Sequence, residues 1–244
     1  MNARVTGATA RRILEQLRHD PGTLALLVVL PALLMVLLRY VFDDQRTFDR
    51  IGPMLLGIFP FVFMFVVTSV GTLRERTGGT LERLMTTPLG KLDLLLGYAL
   101  AFSVVALVQV AVILVVSLPF LGLAVEGPLW ALVLIALLDA LLGVALGLFA
   151  SAFARTEFQA VQLMPAFVLP QTLLCGLFAP RDSMQPVLSA LSDVMPLSYA
   201  VDAMRELTVS PGFSSGLTAD LAVIAVSALL ALLVGAATLP RRTP

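Results

Sequence analysis

Six apolar stretches, at about 23–42, 51–73, 94–119, 128–153, 160–179 and 217–239, alternate with short segments in which arginines, acids and prolines gather. A helix needs about 20 apolar residues to cross the hydrocarbon core of a bilayer. The pattern therefore predicts six transmembrane helices. The longest remaining piece, 180–216, is too short to fold as a domain of its own. The expected fold is all-α, with residues 1–244 forming a single integral membrane domain.

The polar segments have patterns of their own. Within 1–22, Ala10, Ile13, Leu14 and Leu17 share one helical face while Arg11, Glu15 and Arg18 occupy the other, as in an amphipathic helix lying in the membrane interface. A frayed tail is the plainer alternative. Asp20-Pro21-Gly22 then supplies a cap and an N1 proline for the first span. Segment 74–93 is the densest charge cluster: Gly78-Gly79 opens a turn, Leu81, Leu84 and Met85 give a short apolar face, and Pro88 stops any helix. Such a helix suits docking onto a cytoplasmic partner, and a solvated loop fits the periodicity equally well. Segment 180–216 contains two short helical runs, 184–194 and 197–207. Their apolar faces are Val187, Leu188 and Leu191 in the first, Val201, Met204 and Leu207 in the second, predicting an extracellular hairpin packed on the spans.

Three spans contain residues that apolar lipid would not select. The second holds Pro53 and Pro60, bends of the kind found beside cavities, and Phe59 and Phe63 share one of its faces. The fourth places Asp139 near the midplane, where an acid costs about 2.5–3.5 kcal/mol on insertion scales and must face protein or water. Gly143 and Gly147, spaced for close helix packing, lie on its broad face. With no histidine and no second mid-membrane acid as relay partner, a protonated packing role is preferred for Asp139 over a proton relay. The fifth is interrupted by Pro165 and Pro170, and Met164, Phe167, Gln171, Leu174 and Phe178 recur along it at helical spacing. Apolar walls with one polar contact suit an amphiphilic solute. Ordinary packing would produce the same stripe.

Composition narrows the choice of function. Hydrophobic residues make up 59% of the chain and charged ones only 13%, against roughly 25% in soluble domains. Sixteen basic residues balance sixteen acidic ones, which leaves no excess for a phosphate backbone and argues against nucleic-acid binding. A single His19 and a single Cys175 cannot build a metal cage or a spare Cys-His pair. No phosphate loop, H-E-x-x-H or G-x-S-x-G occurs, so catalysis, including ATP hydrolysis by this chain, is not expected. Arg4, Arg11, Arg12, Arg18, Arg74, Arg76, Arg83, Lys91, Arg155, Arg241 and Arg242 fall on one side of a six-span topology. Arg39, Arg46, Arg50, Arg181 and Arg205 fall on the other, which predicts both termini in the cytoplasm.

Two motifs then resemble those of a known family, the permease subunits of ABC-2 type ABC transporters, particularly small bacterial exporters. The first is Glu75-Arg76-x-x-Gly79-Thr80-Leu81-Glu82-x-Leu84-x-x-x-Pro88, similar to the family's E-R-E-x-G-T-x-E-x-L-x-x-x-P segment, with Thr77 in place of the usual acid and Gly78 ahead of the Gly-Thr pair. The second is Pro196-Leu197-Ser198-Tyr199 with Arg205 following, similar to P-[apolar]-x-Y-x5-R after the fifth span. The order of amphipathic start, six spans, basic loop and hairpin agrees along nearly the whole chain. The resemblance implies that residues 79–88 form a coupling helix seated in a separate ATPase subunit, which holds the ATP and magnesium, while this chain binds no cofactor. Glu75, Arg76, Glu82 and Arg83 would make its charged contacts. It also implies a pair of permeases, with a second copy or a sister chain, in the bacterial cytoplasmic membrane. The second and fifth spans would face a path lined by Phe59, Phe63, Phe167, Gln171, Leu174 and Phe178, working by alternating access. A proton-coupled carrier using Asp139 and a non-transporting membrane assembly factor are the competing readings.

Overall fold

A computed structural model describes residues 3–78, 91–210, 212 and 214–238. Among these residues the secondary structure is helix and turn, with no strand. Helix α1 covers Ala3–Arg18, α2 Pro21–Val41, α3 Gln45–Thr77 and α4 Lys91–Val115, the last continuing into a π turn at Val116–Phe120. Then follow α5 (Leu129–Ser151), α6 (Glu157–Leu174), a 3-10 turn (Arg181–Ser183), α7 (Pro186–Val194), α8 (Pro196–Val209) and α9 (Ser215–Thr238).

Local chemistry sets several boundaries. Asp20 caps α2 by accepting from the Thr23 amide at 3.1 Å, with Pro21 in the first turn. Asp44 caps α3 through the amides of Arg46 and Thr47, and Thr156 caps α6 through that of Gln159. At the far end of α6, Gly176 has φ 92°, a left-handed conformation that turns the chain out of the helix.

Helices α2, α3, α4 (with its π turn), α5 and α9 are long and apolar enough to cross a membrane. The fifth expected span does not belong to that group. It is an 18-residue helix, α6, carrying Glu157, three glutamines and two prolines, and it ends at Leu174 rather than running to 179. The apolar run does continue past Leu174, but Gly176 breaks the helix within it. Five spans, not six, therefore stand on length and hydropathy among the described residues.

Burial sorts these helices into a centre and a periphery. Helices α3 and α5 are the most enclosed, and they share the most extensive contact in the molecule. Along it the small residues of α5 meet α3 in steps of four. Gly143 lies so close that a Cβ there would stand 2.3 Å from the Phe61 carbonyl oxygen, and one at Gly147 would stand 2.5 Å from that of Phe65. One step outward the exchange reverses: α3 contributes Gly57, and a Cβ there would lie 3.4 Å from Oδ2 of Asp139. Such approach lets dispersion and weak Cα–H···O contacts replace the hydrophobic force that lipid cannot supply. Helices α2 and α9 lie outside this pair and leave Leu26, Val29, Leu33, Leu229, Leu230 and Leu233 exposed, as lipid-facing surfaces would. Helix α8 packs inward on α3, α5 and α9, and α1 lays Thr9, Ala10 and Ile13 against α4.

Candidate functional site

The end of the bundle that carries α1 is tied together by three consecutive residues in the last turn of α3. Arg74 forms a two-bond ion pair with Glu157 at the start of α6, 2.9 and 3.0 Å. The Glu75 carboxylate accepts from Nη2 of Arg12 on α1 at 2.6 Å and from the Tyr98 hydroxyl on α4. Arg76 donates to the Ser151 and Ala154 carbonyls at the end of α5, 2.9 and 2.6 Å. The last carbonyls of a helix have no intrahelical donor, and a guanidinium supplies donors and a favourable charge there together. Four other helices are thus held by one turn of α3. Burial works against the Arg12 guanidinium, but the hydrogen bond and charge of Glu75 outweigh it and raise its pKa above the ordinary arginine value. Beside the cluster, a cavity of about 220 Å³ has Ile13, Leu17 and Phe102 as its apolar wall and Gln16, Asp20 and Arg74 at its polar edge.

Glu75 and Arg76 are therefore paired within the chain, and the Glu75 side chain is only 12% exposed. Gly79, Thr80, Leu81, Glu82, Arg83, Leu84 and Pro88, the other residues expected to couple to a partner, lie outside the described residues. They follow directly on this turn of α3 and precede α4.

Along the expected path the residues separate. Phe59 packs against the larger apolar core and Phe63 against a second cluster formed with α1 and α4. Phe167 on α6 meets Phe65 of α3 at a 6.0 Å centroid distance and Phe149 of α5 at 6.1 Å, so the aromatic contact between α3 and α6 runs through Phe65. Gln171 is buried; its Nε2 donates to the Phe167 carbonyl one turn back at 2.9 Å, and its Oε1 has no partner. Leu174 is the last residue of α6. Phe178 lies beyond the helix end and is 71% exposed, so the expected stripe stops before reaching it.

At the opposite end, Pro196 starts α8. The Tyr199 hydroxyl donates to the Asp193 carbonyl at 2.7 Å, fastening α8 to the end of α7. Arg205 is exposed. The principal link here is Arg181, which pairs with Asp193 and Asp202 and lies 5.1 Å from the Tyr199 ring centre. Burial holds the Asp202 carboxyl above its ordinary pKa, although Arg181 pulls the other way.

Sequence reasoning passed over Tyr98, Gln109 and Ser117, and used Arg181 only for orientation. Gln109 is fully buried in α4 with neither amide atom partnered, and the Ser117 hydroxyl, two turns further along, has no partner either. A lone glutamine in an apolar span gives the same kind of signal as Asp139. Asp139 itself is fully buried and neither carboxyl oxygen has a partner.

Comparison with known proteins gives this arrangement a context. The profile of the ABC-2 type transporter family matches residues 5–209, from α1 to the end of α8. The chain is 28% identical over 194 residues to the probable multidrug ABC transporter permease YbhS of Escherichia coli, covering 79% of this chain and 52% of the relative. It is 26% identical over 148 residues to the linearmycin resistance permease protein LnrN of Bacillus subtilis, covering 60% and 38%. ABC transporter G family member 20 of Dictyostelium discoideum is 26% identical over 164 residues, covering 67% and 22%. The chain thus spans about half or less of the length of these relatives.

Proposed function

The chain belongs to the ABC-2 type transporter family, and from that premise we propose that it is the permease subunit of an ATP-driven exporter. Its solute is amphiphilic or hydrophobic, a drug, lipid or glycolipid, moved across a bacterial cytoplasmic membrane with both termini inside. The observation that carries the reading is the family match across residues 5–209, joined by relatives named as multidrug and resistance permeases.

The geometry supports a route for coupling. Residues 79–90 leave from the turn of α3 whose three charged side chains grip α1, α4, α5 and α6. A push on that segment by a separate ATPase would reach four helices at once. On this reading Glu75 and Arg76 transmit force within the permease, and Glu82 and Arg83 meet the partner. Two permease copies enclose the path between α3 and α6, with α6 completing the sixth crossing. Export follows if ATP binding and hydrolysis alternate two states of different solute affinity, since a ligand shifts a conformational equilibrium only through such a difference.

The test is purification of the tagged chain from its native membrane, identification of any co-purifying ATPase with a G-x-x-x-x-G-K-[ST] loop, and reconstitution of the complex. Solute-stimulated, vanadate-sensitive ATPase activity and export are expected. Export abolished by a protonophore and untouched by vanadate would overturn the proposal in favour of a proton-driven carrier using Asp139.

A further inference from the structure

Where α3 and α5 touch, a fully buried acid of α5 lies against the stretch of α3 in which a proline interrupts the backbone hydrogen-bond ladder. Pro60 stands inside α3 and has no N–H, so the carbonyl of Leu56, four residues back, lacks its helical donor. Leu56 is 1% exposed, so that carbonyl has no ready access to water. A buried carbonyl without a donor is unfavourable, and the proline ring also presses it away from its normal direction. The next residue, Gly57, has no side chain, and the Asp139 carboxyl occupies the space: Oδ2 is 3.4 Å from where a Gly57 Cβ would be. Asp139 is fully buried, with no partner on either oxygen.

We infer that Asp139 is a positioning residue for α3: carried as a neutral acid, it donates its carboxyl hydrogen to the Leu56 carbonyl and so holds the bend that Pro60 makes. The chemistry of each side calls for the other. A carboxylate in hydrocarbon would need a cation, and no ion pair among the described residues includes Asp139. A neutral carboxylic acid has one O–H to donate, and donor and acceptor left apart would each keep the penalty of a buried unmet bond. Gly57 makes room for the approach, while Gly143 and Gly147 bring α5 close enough for it. Phe59 and Phe63 flank Pro60 on α3. Their role in a path rests on the proposed function; the acid–carbonyl bond does not.

The test is a double-mutant cycle on the purified full-length chain in detergent, read by thermal unfolding and by infrared spectroscopy of the carboxyl C=O stretch. Asp139→Leu should lower the unfolding midpoint, and Asp139→Asn, whose amide still donates, should recover most of the loss. Pro60→Ala restores the N–H that Leu56 lacks, so on that background Asp139→Leu should lose at least about half of its effect. A protonated-carboxyl band present at neutral pH should vanish in Asp139→Asn and shift in Pro60→Ala. If Asp139→Leu yields no folded protein, recovery of folded protein in the double variant is the same result in a coarser form. Equal losses on both backgrounds, or no protonated-carboxyl band assignable to Asp139, would overturn the inference. A failure of cysteines at 59 and 63 to label would remove the path and leave the bond standing.

Discussion

Glu75 offers the sharpest separation between a residue that braces the helices from within and one that meets a partner. Its carboxylate takes hydrogen bonds from Arg12 and Tyr98, and the Arg12 and Glu75 side chains are 28% and 12% exposed, well inside the range where solvent screens little. Glu75→Gln keeps shape and an accepting oxygen but removes the charge. Bonds to a charged group contribute about 1.5–3 kcal/mol and neutral ones about 0.5–1.5, so the substitution should remove about 2 kcal/mol. In a chain of this size that is a fall of about 4–8 °C in unfolding midpoint. Glu75→Ala, which strands Arg12 altogether, should cost more, about 3–5 kcal/mol. The assay is thermal unfolding of the purified chain without any partner, repeated on an Arg12→Gln background. There the cost of Glu75→Gln should fall by more than half, because the charge no longer has its counterpart. An unchanged midpoint in the isolated chain, together with loss of ATPase stimulation in the complex, would refute the bracing argument and return Glu75 to a docking surface.

Three further outcomes follow from contacts elsewhere. Gly143→Ala puts a methyl group 2.3 Å from the Phe61 carbonyl oxygen and should destabilise the chain by about 1–3 kcal/mol, whereas Gly7→Ala, with nothing within 4 Å and a helix around it, should not destabilise and should gain up to about 1 kcal/mol of helix propensity; unfolding midpoints of the two decide it. Arg181→Ala should speed hydrogen exchange across α7, whose Asp193 is tied through Arg181 to Asp202 of α8, and leave α3 unchanged by the same mass-spectrometric measurement. The Asp20 carboxyl is held below its ordinary pKa first by the Thr23 hydroxyl and then by its amide, so its capping contribution is present above the ordinary carboxylate range. It should be lost as pH falls through the lowered value, and Asp20→Ala should remove that part of the acid sensitivity of α2 in a pH series of exchange measurements.

What was legible in the sequence was whatever one helix decides alone. The start of α2 follows from Asp20 and Pro21, and the two short helices α7 and α8 follow from their apolar faces, although they begin at Pro186 and Pro196 rather than at 184 and 197. The end of α6 was not legible, because residues 175–179 read as more span by hydropathy while a positive φ at Gly176 turns them away. Charge also misled. Arg74, Glu75 and Arg76 read as an outward-facing cluster, yet their partners Glu157, Arg12 and the Ser151 carbonyl lie 63 to 83 residues away in the chain. No local pattern encodes such pairings. Buried polar atoms such as those of Gln109 were hidden for the opposite reason: one polar residue hardly changes an apolar run, and its enclosure depends on neighbouring helices.

The contact between α3 and α5 has a constant offset: Gly57 with Asp139, Phe61 with Gly143 and Phe65 with Gly147 each differ by 82 in residue number. Two surfaces with the same four-residue repeat fit only when they are in phase. Screwing one helix past the other by a single residue, about 1.5 Å and 100°, would set Leu142 or Val144 where a bare Cα now meets a carbonyl, and a slide without rotation finds the next matching position only after about 6 Å. Axial movement between these helices is therefore quantised, with a steric barrier between settings. A transport cycle built on this bundle would have to tilt or rotate the pair as one body, and the continuous part of the motion would fall to the loosely held helices at its edges.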